Sequence, residues 1–181
     1  MGERLRLFTA IRPPARIRDC LSDTMGGIPG ARWQDDDQLH LTLTFLGDVG
    51  PHATEDLLPA LEAVRVAPFE LAIRGVGHFE RKGAPSALWA GLAPNEPLVT
   101  LQKRVVAACR RAGCPPDGKT FRPHITLARL SRGAGPIGGW LAQHALLSSD
   151  PWTVESFALY QSHLRPEGSQ YEPVAVFPLM P

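Results

Sequence analysis

Two short segments of the chain carry residues suited to proton transfer. Leu39-His40-Leu41-Thr42-Leu43 and Pro123-His124-Ile125-Thr126-Leu127 each read His-x-Thr-x within an apolar run. Side chains alternate faces along a strand, so His40 and Thr42 point one way while Leu39, Leu41, Leu43 and Phe45 point the other. The same division separates His124 and Thr126 from Ile125 and Leu127. Each strand is thereby anchored in a core on one face and presents an imidazole beside a hydroxyl on the other. Two such strands facing each other across a cleft bring two imidazoles and two hydroxyls into one small volume.

That set fits the hydrolysis of a phosphodiester. The reaction needs a base to take a proton from water, an acid to protonate the departing oxygen, and donors for the charge growing on the phosphoryl oxygens. Histidine, titrating near pH 6.5, can take either proton-transfer role at neutral pH, one ring neutral and the other charged. The threonine hydroxyls supply the donors. The scheme requires no metal and no cofactor, and the sequence has no motif-like cluster of further His, Asp or Glu ligands.

The triplet occurs a third time, at His52-Ala53-Thr54, but His52 opens a predicted helix, has a Glu after its Thr and lacks apolar anchoring. It is read as non-catalytic. His78, His144 and His163 have no partner motif and are expected at the surface or in structural roles. A lone histidine on a half-buried strand most often just hydrogen-bonds; the matched settings of His40 and His124 are what argue for catalysis.

The elements that must position these residues follow from pattern. Arg4 to Ile11 alternates at its start and is closed by Pro13-Pro14, which predicts a strand; a helix follows from Ala15 to about Met25, ended by Gly26-Gly27. Leu39 to Leu46 is a strand, Gly47 to Pro51 a loop, and His52 to about Val66 a helix with Leu57, Leu58, Leu61 and Val64 on one stripe. Phe69 to Gly77 and Ala87 to Leu92 read as a hairpin with a long polar connection, Glu80 to Ser86. A second long helix covers about Pro97 to Ala112. His124 to Leu130 is a strand, Trp140 to Leu147 a modest helix, and Val154 to Leu164 with Tyr171 to Leu179 a closing hairpin turned at Pro166-Glu167-Gly168. Helices interspersed with roughly eight strands give an α+β class. The two halves are built alike, which predicts two similar lobes facing across a cleft.

Bulk properties narrow the function. The chain of 181 residues is expected to form one compact unit, residues 1–181, long enough for a real core but short for two independent domains. Its formal charge of +1 provides no global basic field for non-specific duplex binding, so any nucleic-acid contact is local. Three cysteines, Cys20, Cys109 and Cys114, in no ligand-like spacing argue for ordinary thiols in a reducing compartment. No apolar run is long enough to span a membrane and the start lacks a signal-peptide core, so a cytoplasmic protein is expected.

With these motifs in place, the sequence resembles the RNA 2',3'-cyclic phosphodiesterases, also called bacterial 2'-5' RNA ligases, of the two-histidine phosphoesterase superfamily. The resemblance rests on the two motifs and on Arg6 to Ile11, Trp33 ahead of Leu39 to Gly47, Phe121 to Arg129, and Leu159 to Ser162 with Gly168 and Tyr171. It implies two pseudo-symmetric lobes, each an antiparallel sheet with helices packed outside, and one active-site groove between them. It further implies that His40 donates a proton to the leaving 3' oxygen, that His124 accepts one from water to give a 2'-phosphate, and that Thr42 and Thr126 bind the phosphate. The family often places a basic residue after the second motif, and Arg129 fits by position, although strict alternation puts it on the face opposite His124. Phe8 and Phe45 would flank the groove, with Phe45 better read as core. Arg81, Arg122 and Arg132 are candidates to steer an RNA backbone. The implied partner is RNA with a 2',3'-cyclic phosphate terminus or a cyclic nucleotide, bound by a monomer with no membrane association. Two alternatives stay open: a cyclic phosphodiesterase of small nucleotides, or a 2'-5' ligase, with the same residues; and a nucleotide- or RNA-binding module that does not turn over.

Overall fold

In the computed structural model, which describes residues 2–181, ten strands and four helices follow one another in chain order. They are β1 (Leu5–Ile11), α1 (Ala15–Ser22), β2 (Ala31–Trp33), β3 (Leu41–Val49), α2 (Pro51–Glu62), β4 (Phe69–Leu71), β5 (Ile73–Arg81), β6 (Ala84–Leu92), α3 (Glu96–Arg111), β7 (His124–Leu130), α4 (Gly138–Gln143), β8 (Trp152–Val154), β9 (Ser156–Arg165) and β10 (Gly168–Pro178). A single 3-10 turn, Asp36–Gln38, stands between β2 and β3.

Eight strands form one antiparallel sheet in the order β10-β9-β1-β3-β7-β6-β5, with β2 added along β7; β4 and β8 make a separate pair. The two expected lobes are the two ends of this sheet. One is β10-β9-β1-β3, the other β2-β7-β6-β5, and they are joined through a single register pair, Leu41 with Ile125. Past that pair the strands part: β2 replaces β3 along β7, and the segment entering β7 runs beside β3, where the Asp117 amide donates to the Phe45 carbonyl at 3.2 Å.

Apolar residues on the helix-covered side of the sheet hold both lobes in one core. Leu7, Leu41, Leu88, Ile125 and Leu127 are fully buried in it, with Leu57 and Leu61 of α2 and Leu98, Leu101 and Val105 of α3. Helices α2 and α3 lie against each other and α3 lies against β3. The Trp140 indole of α4 donates to the Thr24 carbonyl just after α1 at 2.7 Å, tying those two helices together. All three cysteines are free, and burial pushes the Cys109 thiol up to about 11.

Several expected boundaries shift for identifiable reasons. His40 lies ahead of β3 rather than inside it, because the 3-10 turn occupies the approach. The long connection expected at Glu80–Ser86 is a tight turn at Lys82 and Gly83, both left-handed (φ 52° and 77°), which matches the twist of paired strands and lets β5 and β6 run on. The strand expected from Phe69 to Gly77 is two, β4 and β5, and the one expected from Val154 is likewise preceded by a separate β8. The last helix is shorter than expected, ending at Gln143. Nor are the lobes the two halves of the sequence: the C-terminal hairpin β9–β10 joins β1 in the first lobe, while β2 joins β7 in the second.

Candidate active site

The two imidazoles stand where the lobes meet, each immediately before a member of the Leu41–Ile125 pair. They are held in the same way. His40 Nδ1 donates to the Gln38 carbonyl at 2.6 Å, and His124 Nδ1 donates to the Arg122 carbonyl at 2.6 Å. A carbonyl can only accept, so Nδ1 carries the proton in the neutral ring and Nε2 is left bare. That is the tautomer a base requires, and protonation at Nε2 converts the same ring to an acid.

Aromatic side chains brace each imidazole from its own lobe. The Phe8 ring lies 5.0 Å from His40 and Tyr171 meets it edge-on at 5.0 Å, while Tyr160 stacks on Phe8. Around His124, Phe79 stands edge-on at 4.8 Å and Trp89 at 6.2 Å. Trp89 lies flat over β5 because position 77 is glycine; a Cβ there would come within 2.3 Å of the indole.

The backbone that presents His40 is pinned by Arg12. Its guanidinium donates to the carbonyls of Asp36, Asp37 and Leu39 and pairs with the Asp36 carboxylate at 3.1 Å. Arg18 takes the other Asp36 oxygen at 2.9 Å.

Both rings are held toward the neutral form. Burial lowers His40 to about 4, opposed by its bond to the Gln38 carbonyl and reinforced by the charges of Arg129, His124 and Arg12. Burial also lowers His124, again opposed by its backbone bond and reinforced by Arg129. Arg129 therefore lies close enough to act on both rings.

Its placement corrects the alternation argument. In the β6–β7 register, Trp89 pairs with Thr126, Leu88 with Ala128 and Ala87 with Arg129, so Leu127 is an extra residue, a β-bulge. The bulge returns Arg129 to the face of His124 and Thr126. The first motif repeats the device: Ala10 pairs with Thr42 and Thr9 with Thr44, so Leu43 is extra and Phe45 comes round to the face of Thr42. Phe45 is accordingly half-buried, with the Arg6 guanidinium 5.0 Å over its ring, and is not a core residue. Phe8 is 4% exposed and lines, with His40, Tyr160 and Tyr171, a small cavity beside the His40 ring.

Thr42 and Thr126 are half-buried on the same face as the imidazoles. Thr44, by contrast, is buried and bonded to Thr9 at 2.6 Å. The other histidines are occupied elsewhere: His52 is fully exposed near Glu55, His78 meets Glu80, His163 pairs with Glu172 at 2.9 Å, and His144 rests on Trp140. Arg81 and Arg132 line a shallow cleft near the β5–β6 turn, away from both imidazoles, whereas Arg122 lines a cavity that reaches His124. Among the described residues, no three His, Cys, Asp or Glu side chains are grouped as a metal site needs, and no helix is long and apolar enough to cross a membrane. Sequence reasoning misses Arg12, Phe79 and Trp89, whose positions follow from pairings distant in the chain.

A sheet of two lobes meeting at paired His-x-Thr-x segments defines a two-histidine phosphoesterase architecture. The chain belongs to the 2'-5' RNA ligase superfamily, whose family model matches residues 15–165. It is 32% identical to the RNA 2',3'-cyclic phosphodiesterase of Geobacillus stearothermophilus over 98% of its own length, spanning 58% of that protein. It is 30% identical to the RNA 2',3'-cyclic phosphodiesterase of Archaeoglobus fulgidus, covering 96% of this chain and 99% of the relative. Among solved structures, TT0787 of Thermus thermophilus superimposes with a TM-score of 0.81 at 31% identity, over 97% of this chain and 98% of that one. Escherichia coli LigT complexed with 3'-AMP superimposes with a TM-score of 0.77 at 27% identity, over 99% and 100%.

Proposed function

We propose that this protein hydrolyses 2',3'-cyclic phosphates at RNA ends to 2'-phosphomonoesters, by proton transfer between His40 and His124 with no metal or other cofactor. The observation that carries the reading is the shared geometry of the two rings: each commits Nδ1 to its own backbone and keeps Nε2 for chemistry. The hydroxyls of Thr42 and Thr126 and the charge of Arg129 stand ready for the phosphoryl oxygens. The names of the relatives support the substrate class.

In this reading His124 Nε2 takes the proton of a water attacking phosphorus, the bond from phosphorus to the 3' oxygen breaks, and His40 Nε2 protonates that oxygen. The products are a 2'-phosphate and a free 3'-hydroxyl. Because burial holds His40 neutral in the free protein, the acid has to form in the complex, where the anionic cyclic phosphate offsets Arg129 and favours an imidazolium. Arg129 then serves the phosphate instead of opposing the ring. Phe8, with Tyr171, sets the His40 ring from behind. The groove is built from a single chain, residues 1–181 acting as one bilobal unit, and the protein is read as a cytoplasmic monomer.

The test is to incubate the protein, with EDTA, with an RNA oligonucleotide ending in a 2',3'-cyclic phosphate and to identify the product isomer. A 2'-phosphate is expected. Loss of activity on chelation overturns the metal-free mechanism, a 3'-phosphate reverses the roles of the histidines, and tight binding without product in hours makes the protein a binding module.

A further inference from the structure

Two cavities flank the histidine pair, and they differ in charge. On the His40 side lies one of about 510 Å³ whose charged lining is Arg12, Arg165, Asp35, Asp37 and Glu167. On the His124 side lies one of about 570 Å³, in the wedge where β3 and the segment entering β7 part company. Its charged lining is Lys103, Arg110, Lys119, Arg122 and a single acid, Asp117. Four cations against one carboxylate is a local excess that the whole chain, at +1, does not have. Lys119 is near Asp117 at 3.9 Å, but Lys103, Arg110 and Arg122 have no ion-pair partner among the described residues. The first cavity, with three carboxylates and two cations, would repel a polyanion.

The wedge is also continuous with the site. Thr42 and His124 belong to its lining, as do the rings of Phe45 and Phe121. Its volume lies within the range of about 300–1,000 Å³ that accommodates a small-molecule ligand. Cations tracking a phosphate backbone beside aromatic faces on which bases stack is the usual composition of a single-strand site.

We propose that the wedge binds the nucleotide on the 5' side of the cyclic-phosphate end, with its phosphodiester against Lys103 and Arg110 and its base against Phe121. This inference rests on the function proposed above and specifies the substrate: a single-stranded RNA end rather than a free cyclic nucleotide. The strand leaves the histidines past Thr42 toward α3, not past Tyr171 toward the acidic cavity.

The test compares kcat/KM for a cyclic-ended tetranucleotide with that for the nucleoside 2',3'-cyclic phosphate alone. The native protein is expected to prefer the oligonucleotide, and K103A/R110A to reduce that preference roughly tenfold, chiefly through KM. The preference should also fall with added salt, by a log–log slope of about 0.7 for each phosphate neutralised. A preference untouched by K103A/R110A, or one lost instead in Arg165→Ala, overturns the proposal. If the native protein turns over neither compound, the functional reading has failed, and fluorescence anisotropy of the labelled tetranucleotide still decides the wedge: equal affinity in native protein and K103A/R110A refutes it.

Discussion

Leu41 and Ile125 are the one register pair that joins β3 to β7, and each directly follows a histidine of the site. Both are fully buried, so the residues that fasten the lobes together are also the ones that set the spacing of the two imidazoles. Truncating either should cost stability and geometry together. Leu41→Ala and Ile125→Ala are expected to destabilise by about 2–5 kcal/mol, the range for deleting a buried aliphatic side chain, seen as a lower urea midpoint with an unchanged slope. Turnover should fall even under conditions where the variants are fully folded. Retained full activity in a folded Leu41→Ala protein would show that the joint does not control the site.

Replacement of the imidazoles themselves separates chemistry from folding. His40→Ala and His124→Ala should each lower kcat by roughly 10²–10⁴-fold, the usual contribution of general acid–base catalysis, while circular dichroism and the product of any residual reaction stay as in the native protein.

The pH dependence follows from the depressed imidazoles. In the free protein both imidazoles titrate below the ordinary 6.5, so, with the roles proposed above, the bell of kcat/KM against pH should have its optimum on the acid side of that value. Stability should respond as well. The unfolded chain takes up a proton at His40 near 6.5, whereas the folded chain does so only at about 4. The stabilisation is therefore complete above 6.5 and is lost as pH falls toward 4. His40→Gln should flatten the fall in urea midpoint between pH 7 and about 4.5; an unchanged slope would mean that His40 is not held neutral.

Arg129 is expected to act on both rings at once. Its removal takes away a positive charge that lowers each of them, so Arg129→Ala should move both limbs of the kcat/KM profile to higher pH and slow turnover by roughly 10²-fold through loss of a phosphoryl partner. Nuclear magnetic resonance titration of the histidines checks the first effect independently of activity. Deleting Leu127 removes the bulge and its extra residue together, so Arg129 keeps its pairing with Ala87 on the face of His124 and both histidine titrations should stay where they are.

Arg12 is a positioning residue for His40. Its planar guanidinium meets three carbonyls and a carboxylate of the turn that precedes the ring, a pattern that an ammonium cannot reproduce. Arg12→Lys should therefore lower kcat nearly as far as Arg12→Ala, with KM little changed; full rescue by Lys would reduce its role to charge alone.

Much of this site is legible in the chain. Both histidines and both threonines stand out because a period-two pattern anchors each motif, and that pattern survives in the structure at Leu41, Ile125 and Leu127. What sequence pattern does not reveal are the departures from strict alternation. Leu43 and Leu127 are ordinary core residues by type, and nothing in their identity marks them as bulges, so alternation alone puts Arg129 on the wrong face and Phe45 in the core. The Lys82-Gly83 turn lacks the Asn or Asp that usually announces a tight hairpin. β2 is three residues long and owes its existence to the free edge of β7, a partner it meets only in the folded chain. The bracing of the rings is hidden for the same reason, since Phe8, Tyr160 and Tyr171 come together through β1–β9 and β9–β10 pairings that no local spacing reveals.

The placement of β9–β10 beside β1 has a consequence for how the protein comes into being. On the ribosome, β1 and β3 emerge early, yet the wall of the first lobe, including the Tyr171 that meets His40, is supplied by a hairpin made after every other strand of the sheet. Until then β1 is an unpaired apolar edge with both histidines already present in the nascent chain, and pairing across so long a loop is slow. Completion of the first lobe is thus a late event of folding, and a prematurely terminated chain lacking that hairpin carries both histidines but not the wall that Tyr160 and Tyr171 build beside His40.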